Sequence, residues 1–202
     1  TGGSNSAFGF EALFNNTTAS NNTAVGYQAG YNITTSTGNT ALGYQSAYTL
    51  SSVGTGDYTT SVGYQALFYG TGDQNVAVGR QSQYGASGTT TGSFNTSLGT
   101  QALYSNTTAS YNTAVGWSAM YSNTTGQNTA YGAGALYTNS TGTANTALGG
   151  TTSTVSSALN ANTTGSYNVA VGTGSLSSNT TASNNTAVGY QAGYSNTTGG
   201  PN

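Results

Sequence analysis

Beyond tyrosine, the only ionisable side chains in this 202-residue chain are Glu11, Asp57, Asp73 and Arg80; His, Cys and Lys are absent. Asp57 and Asp73 occupy matching Thr-Gly-Asp segments, each six residues before a recurrent glycine. If successive repeats stack as coils, the two carboxylates lie in adjacent coils roughly 5 Å apart. With neighbouring carbonyls such a pair has the makings of a Ca²⁺ site. Its spacing also approaches that of the carboxylates of retaining glycosidases. The alternative is two solvated turn aspartates with Arg80 nearby. The usual acid–base and nucleophile partners are missing, so the chain is expected not to be an enzyme and to need no cofactor beyond Ca²⁺ or covalent sugar.

Sequons of the form Asn-x-Ser/Thr are the most frequent chemical signal. Asn16, Asn106, Asn139, Asn162 and Asn179 stand ten residues before the next recurrent glycine. Asn123 stands nine before it, and Asn196 holds the equivalent place after the last motif. Asn21 and Asn184 form a further pair, and Asn32 falls in a bend. On one loop edge these would array glycans in a row, given a glycosylating secretory route. Asn-Thr-Thr-Gly is equally good turn chemistry. Asn95 also fits the sequon but sits in a column expected to be inaccessible.

That column belongs to a repeat covering the whole chain. The motif Asn-Thr-Ala-Val-Gly-Tyr-Gln-Ala recurs with its glycine at Gly9, Gly26, Gly43, Gly63, Gly79, Gly99, Gly116, Gly132, Gly149, Gly172 and Gly189, at intervals of 16 to 23 and most often 17. Four residues before the glycine stands Asn5, Asn22, Asn39, Asn75, Asn95, Asn112, Asn128, Asn145, Asn168 or Asn185, with Thr59 the exception. Two before it the residue is Ala or Ser; one before it, Val, Leu, Phe or Tyr. Five after it the residue is aromatic, except at Thr154 and Ser177.

A period near 17 matches no helical repeat and predicts an all-β fold: a β-solenoid, or parallel β-roll, of eleven coils in one domain over residues 1–202. Thr23-Ala24-Val25 is expected as one strand and Tyr27-Gln28-Ala29 as the start of another, with Gly26 at the bend. Like residues then stack at roughly 4.8 Å, so the Asn column forms an amide ladder and the tyrosines pile up. Eleven such coils make a rod about 50 Å long. The bulky column just before the glycine is expected to fill the interior. The small column two before it must pack against the opposite wall or another chain.

Composition narrows the partners. A net charge of −2 offers no basic surface for nucleic acid. No apolar run reaches the roughly 18 residues of a membrane helix, so membrane insertion is not expected. The tyrosine columns, with Trp117 and Tyr190, serve either the fold or a sugar-stacking face. Threonine-rich solenoids also suggest ice binding, which coils of unequal length should spoil by breaking a flat face.

The strings NNTAVGYQAG at 21–30 and NTAVGYQA at 185–192 resemble the head repeats of trimeric autotransporter adhesins and repeats in phage tail fibres that precede a self-cleaving chaperone. The resemblance extends over all eleven copies. It implies a left-handed parallel β-roll, commonly trimeric, displayed at a cell or virion surface. The adhesin motif is Asn-Ser-Val-Ala-Ile-Gly in shorter coils. This chain differs in its longer coils and tyrosine column, and carries no recognisable stalk or membrane anchor.

Residues 16–31 and 179–194 are identical, and Asn202 falls in the ladder position of a further coil. With no initiator Met or capping signal, the chain reads as part of a longer fibre or a subunit stacked end to end. The expected function is an extracellular structural fibre or surface appendage, partnered by itself through stacking or trimerisation. The alternative is an adhesin or tail-fibre module binding surface glycans.

Overall fold

The computed structural model describes residues 2–50, 56–85 and 90–199; Thr1 and Asn202, with its ladder assignment, lie outside them. Each motif contributes one strand: β1 (Ser6–Phe8), β2 (Thr23–Val25), β3 (Thr40–Leu42), β4 (Thr60–Val62), β5 (Val76–Val78), β6 (Thr96–Leu98), β7 (Thr113–Val115), β8 (Asn128–Tyr131), β9 (Asn145–Leu148), β10 (Val169–Val171) and β11 (Thr186–Val188). These form one parallel eleven-stranded sheet in chain order. Its register keeps the columns in line, as in Ala24 opposite Ala41 and Ser97 opposite Ala114. The fold is an all-β solenoid.

The interior is the reverse of the expected one. Ala24, Ala41, Ala77, Ala114, Ala130 and Ala170 are fully buried, whereas Val25 is 40% and Val188 68% exposed. A three-residue strand turns one side chain inward and two outward. Here the inward one is the small middle residue, and the bulky column faces out beside the threonines. The inside is filled from the far wall by Leu13, Leu67, Leu103, Met120, Leu136 and Leu176, all buried. Only a methyl or hydroxymethyl group fits opposite them.

The expected second strand is not a strand. Beyond the glycine the chain is a stack of turns in which alternate residues take left-handed backbone, as at Gln28 (φ 51°) and Gly30 (φ 60°), or Gln101 (φ 59°) and Leu103 (φ 52°). Its amides still bond along the axis: Gln28 N–H donates to Phe10 O at 2.8 Å and Leu103 N–H to Ala119 O at 3.0 Å. Such backbone costs about 1–2 kcal/mol per non-glycine residue and persists because each coil templates the next. At the bend itself only glycine fits. Gly26 has φ 131°, and a Cβ there would meet Gly43 O at 2.6 Å.

The unequal coil lengths are absorbed away from the sheet. In the longest coil, Ala158 N–H bonds Gly149 O at 3.0 Å just as Ala12 N–H bonds Gly9 O at 3.3 Å, so residues 152–157 form an inserted loop and the chain then rejoins the repeat. Asn160 rather than Thr154 therefore occupies the aromatic column: Thr138 N–H donates to Asn160 O, and Ala161 N–H to Ser177 O. Across the two 20-residue coils the strands remain in step, Thr40 with Thr60 and Val76 with Thr96. Unequal coil lengths therefore leave the strand register intact.

Candidate functional site

The ladder column is buried from Asn22 to Asn185. Its main link is from main chain to side chain. Asn39 N–H donates to Asn22 Oδ1 at 2.8 Å, Asn95 N–H to Asn75 Oδ1 at 2.9 Å, and Asn112 N–H to Asn95 Oδ1 at 2.9 Å. The series continues through Asn128, Asn145, Asn168 and Asn185 at 2.7 to 3.0 Å. Several side-chain amides donate to a carbonyl of the following coil, as Asn128 does to Gly142 O at 2.8 Å. Thr59 interrupts the column: its N–H and hydroxyl both donate to Asn39 Oδ1 at 2.9 Å, and Asn39 Nδ2 is buried without a partner among the described residues.

Five of the seven asparagines of the expected glycan row are interior, so a continuous row of glycans cannot form there. Asn106, Asn123, Asn139, Asn162 and Asn179 are fully buried. Asn139 Nδ2 donates to Asn123 Oδ1 at 2.7 Å, Asn162 to Asn139 at 2.8 Å and Asn179 to Asn162 at 2.8 Å. Each also closes its own turn onto the carbonyl three residues ahead, as Asn162 does on Gly165 O at 2.9 Å. Ile33 and Leu50, both buried, hold the same place in earlier coils. Asn16, Asn32 and Asn196 are half-buried, while Asn21 and Asn184 are exposed on left-handed turns. Asn95 is buried, as expected.

Asp57 and Asp73 do stack in adjacent coils. Asp57 Oδ1 accepts Thr37 N–H at 2.6 Å, and Asp73 Oδ1 accepts Asp57 N–H at 3.0 Å. Serine hydroxyls perform the same task further along, with Ser93 N–H donating to Ser110 Oγ at 3.0 Å. Each carboxylate thus has an oxygen committed to a turn amide. Among the described residues no three acidic, His or Cys side chains cluster as a metal site would require.

A ladder not anticipated from the sequence runs two residues after the glycine. Gln28 Nε2 donates to Glu11 Oε2 at 2.7 Å, Gln45 to Gln28 at 2.8 Å, Gln65 to Gln45 at 3.0 Å, Gln81 to Gln65 at 3.2 Å and Gln101 to Gln81 at 3.3 Å. The recurrence of Gln at that offset was the available signal.

Aromatic rings form two long rows. Five residues after the glycine, Phe14, Tyr31, Tyr48, Phe68, Tyr84, Tyr104, Tyr121 and Tyr137 stack with successive centroids 4.9 to 5.3 Å apart. Burial, with neighbouring phenols, raises the phenol pKa of Tyr48, Tyr84 and Tyr121. One residue after the glycine, Phe10, Tyr27, Tyr44 and Tyr64 stack at 5.1 to 5.4 Å. Rings stacked this way cover one another's faces, so Tyr27 and Tyr44 take the first of the two roles open to these columns, serving the fold. Trp117 differs: it is 56% exposed, and its row neighbours are Thr100 and Ala133.

These features define a β-solenoid rod braced by interior amide ladders. Comparison with protein-family models, curated proteins and solved structures finds no match. Among the described residues no helix is long and apolar enough to cross a membrane.

Proposed function

We propose that this chain is a rod-forming, non-enzymatic segment of an extracellular fibre or surface appendage, on a cell or virion, with other copies of itself as its principal partner. The supporting observation is the direction of its hydrogen bonds: amide, hydroxyl and glutamine ladders all run along the axis and tie each coil to the next. Such a structure transmits load along its length and depends little on any one coil. The outward Val and Leu column offers an apolar stripe for side-by-side association, including a trimer. Electron microscopy with light scattering tests this. Elongated assemblies of several copies are expected; compact, non-associating monomers would overturn it.

A second reading, as an adhesin or tail-fibre module for surface glycans, is favoured by Trp117, whose ring is not enclosed in an aromatic stack. Saturable binding to a glycan array by particles that form no filament would favour it over the first.

A further inference from the structure

The row one residue after the motif glycine reads Tyr64, Arg80, Thr100, Trp117 over four successive coils. The coils are in step there: Gln81 N–H donates to Tyr64 O at 2.8 Å, Gln101 N–H to Arg80 O at 2.9 Å and Ser118 N–H to Thr100 O at 2.9 Å. Where rings fill the row, as from Phe10 to Tyr64, each lies 5.1 to 5.4 Å from the next. At Thr100 the ring is missing. Arg80 and Trp117 are therefore two coil spacings apart, roughly 10 Å, with a small hydroxylated residue between them. The opening is one ring thick.

Its chemistry is specific. Arg80 is the chain's only basic residue and Trp117 its only tryptophan, and both are exposed. The carboxylates are engaged elsewhere: Glu11 accepts Gln28, Asp57 accepts Thr37, and Asp73 accepts Asp57. Beside the opening, the glutamine ladder ends at Gln101, because the next coil carries Ser118. Its Oε1 is thus the terminal acceptor of a polarised chain of amides.

We propose that Arg80, Thr100, Gln101 and Trp117 form a subsite for one acidic sugar, a hexuronate unit of a surface polysaccharide. This rests on the glycan-binding reading above. The C–H face of the pyranose lies on the indole, taking the place of the absent ring. The guanidinium receives the carboxylate as a paired, charge-assisted contact. Thr100 and Gln101 take sugar hydroxyls. A lone cation on a rod with four charged side chains selects a uronate over the corresponding neutral hexose. One subsite per copy binds weakly, and copies arrayed along a fibre add avidity.

Because Trp117 is the sole tryptophan, its red-edge-excited fluorescence reads this site alone. Titration with an oligogalacturonate should change the emission saturably, while a neutral galactose oligosaccharide of equal length should bind about tenfold more weakly. Arg80→Gln should remove that preference. Thr100→Tyr, which completes the ring row with its commonest residue, should preserve the circular dichroism spectrum and abolish the response. Unchanged emission with the oligogalacturonate, or undiminished uronate affinity in Thr100→Tyr, overturns the subsite. If a glycan array binds the parent and both variants equally, the subsite fails and the adhesin reading survives. If the parent binds no glycan at all, both fail.

Discussion

Ser82 donates its hydroxyl to Ser97 Oγ at 2.8 Å, across the interior from one coil to the next, and Ser46 does the same to Ser61 at 2.8 Å. At equivalent positions elsewhere the pair is Ala with Ala, as in Ala29 with Ala41 or Ala102 with Ala114. Ser175, opposite Ala187, donates to the Ala187 carbonyl at 2.9 Å, and Ser46 and Ser82 reach the equivalent carbonyls of Ser61 and Ser97 at 2.9 and 3.1 Å. Each of these buried hydroxyls has an acceptor. Ser82→Ala or Ser97→Ala alone should each cost about 1 kcal/mol. The double variant should be less destabilised than the sum of the two, because Ala–Ala is already a solution this fold uses. A double-mutant cycle in denaturant measures the coupling; strict additivity would contradict it.

Gln83 sits in the column held by Leu67 one coil earlier and Leu103 one coil later. It is fully buried, and both ends of its amide lack a partner among the described residues. The apolar core is divided there, one cluster reaching Ala77 and the other beginning at Ala102. Gln83→Leu removes an unsatisfied amide and joins the clusters, so it should stabilise the rod by about 1–3 kcal/mol. A higher melting temperature would show this, and a lower one would refute it.

The solenoid and the Asn column were legible in the sequence because a stacked repeat converts periodicity directly into position. Which way each column faces was not. A three-residue strand has two outward positions and one inward, and hydrophobicity alone pointed to Val25 rather than Ala24. What decides the matter is the narrow interior, visible only once the leucine wall opposite is placed. The sequon asparagines could have been read correctly: Ile33 and Leu50 share their column, and apolar residues interchange with Asn only where the site is interior. The acidic pair was placed correctly in adjacent coils, but its engagement with turn amides depends on backbone direction, which spacing does not carry.

Thr59 tests the Asn ladder in the direction of gain. Its hydroxyl donates to Asn39 Oδ1, whereas the other coils carry Asn at this position. Thr59→Asn should restore the repeat and add about 1 kcal/mol. Asn112→Ala should do the opposite. Asn112 Oδ1 accepts Asn128 N–H at 2.7 Å and Asn123 Nδ2 at 3.4 Å, so its removal strands buried donors at a cost of about 3 kcal/mol. Equal stabilities for the two variants would mean the ladder is only geometric.

Burial predicts which sequons are modified when the chain passes through a glycosylating secretory pathway. Asn21 and Asn184 are exposed and should carry glycan. Asn106, Asn123, Asn139, Asn162 and Asn179 are fully buried and should remain bare in folded protein. Glycopeptide mapping by mass spectrometry separates the groups. Extensive modification of the buried set in folded rods would contradict the interior ladder.

The half-buried ring row should set an alkaline limit. Burial is the largest cause of the raised phenol pKa at Tyr48, Tyr84 and Tyr121, followed by neighbouring phenols: Tyr31 for Tyr48, Tyr69 for Tyr84 and Tyr104 for Tyr121. In the unfolded chain these groups ionise near the ordinary value of about 10. Below that, both states hold the proton and the contribution to stability is fully present. Above it, the unfolded state releases protons first, so stability falls as pH rises through the folded-state values. The melting temperature should therefore be flat across the neutral range and decline above about pH 10, with phenolate absorbance at these three sites lagging that of the unfolded chain. Phe68 already sits in the row, stacked 4.9 Å from Tyr48, so phenylalanine fits there. The triple variant Tyr48→Phe, Tyr84→Phe and Tyr121→Phe should lose about 1 kcal/mol at neutral pH with the Tyr84–Tyr69 phenol hydrogen bond, and lose less further stability than the parent in alkali. An unaltered alkaline decline would place its cause outside this row.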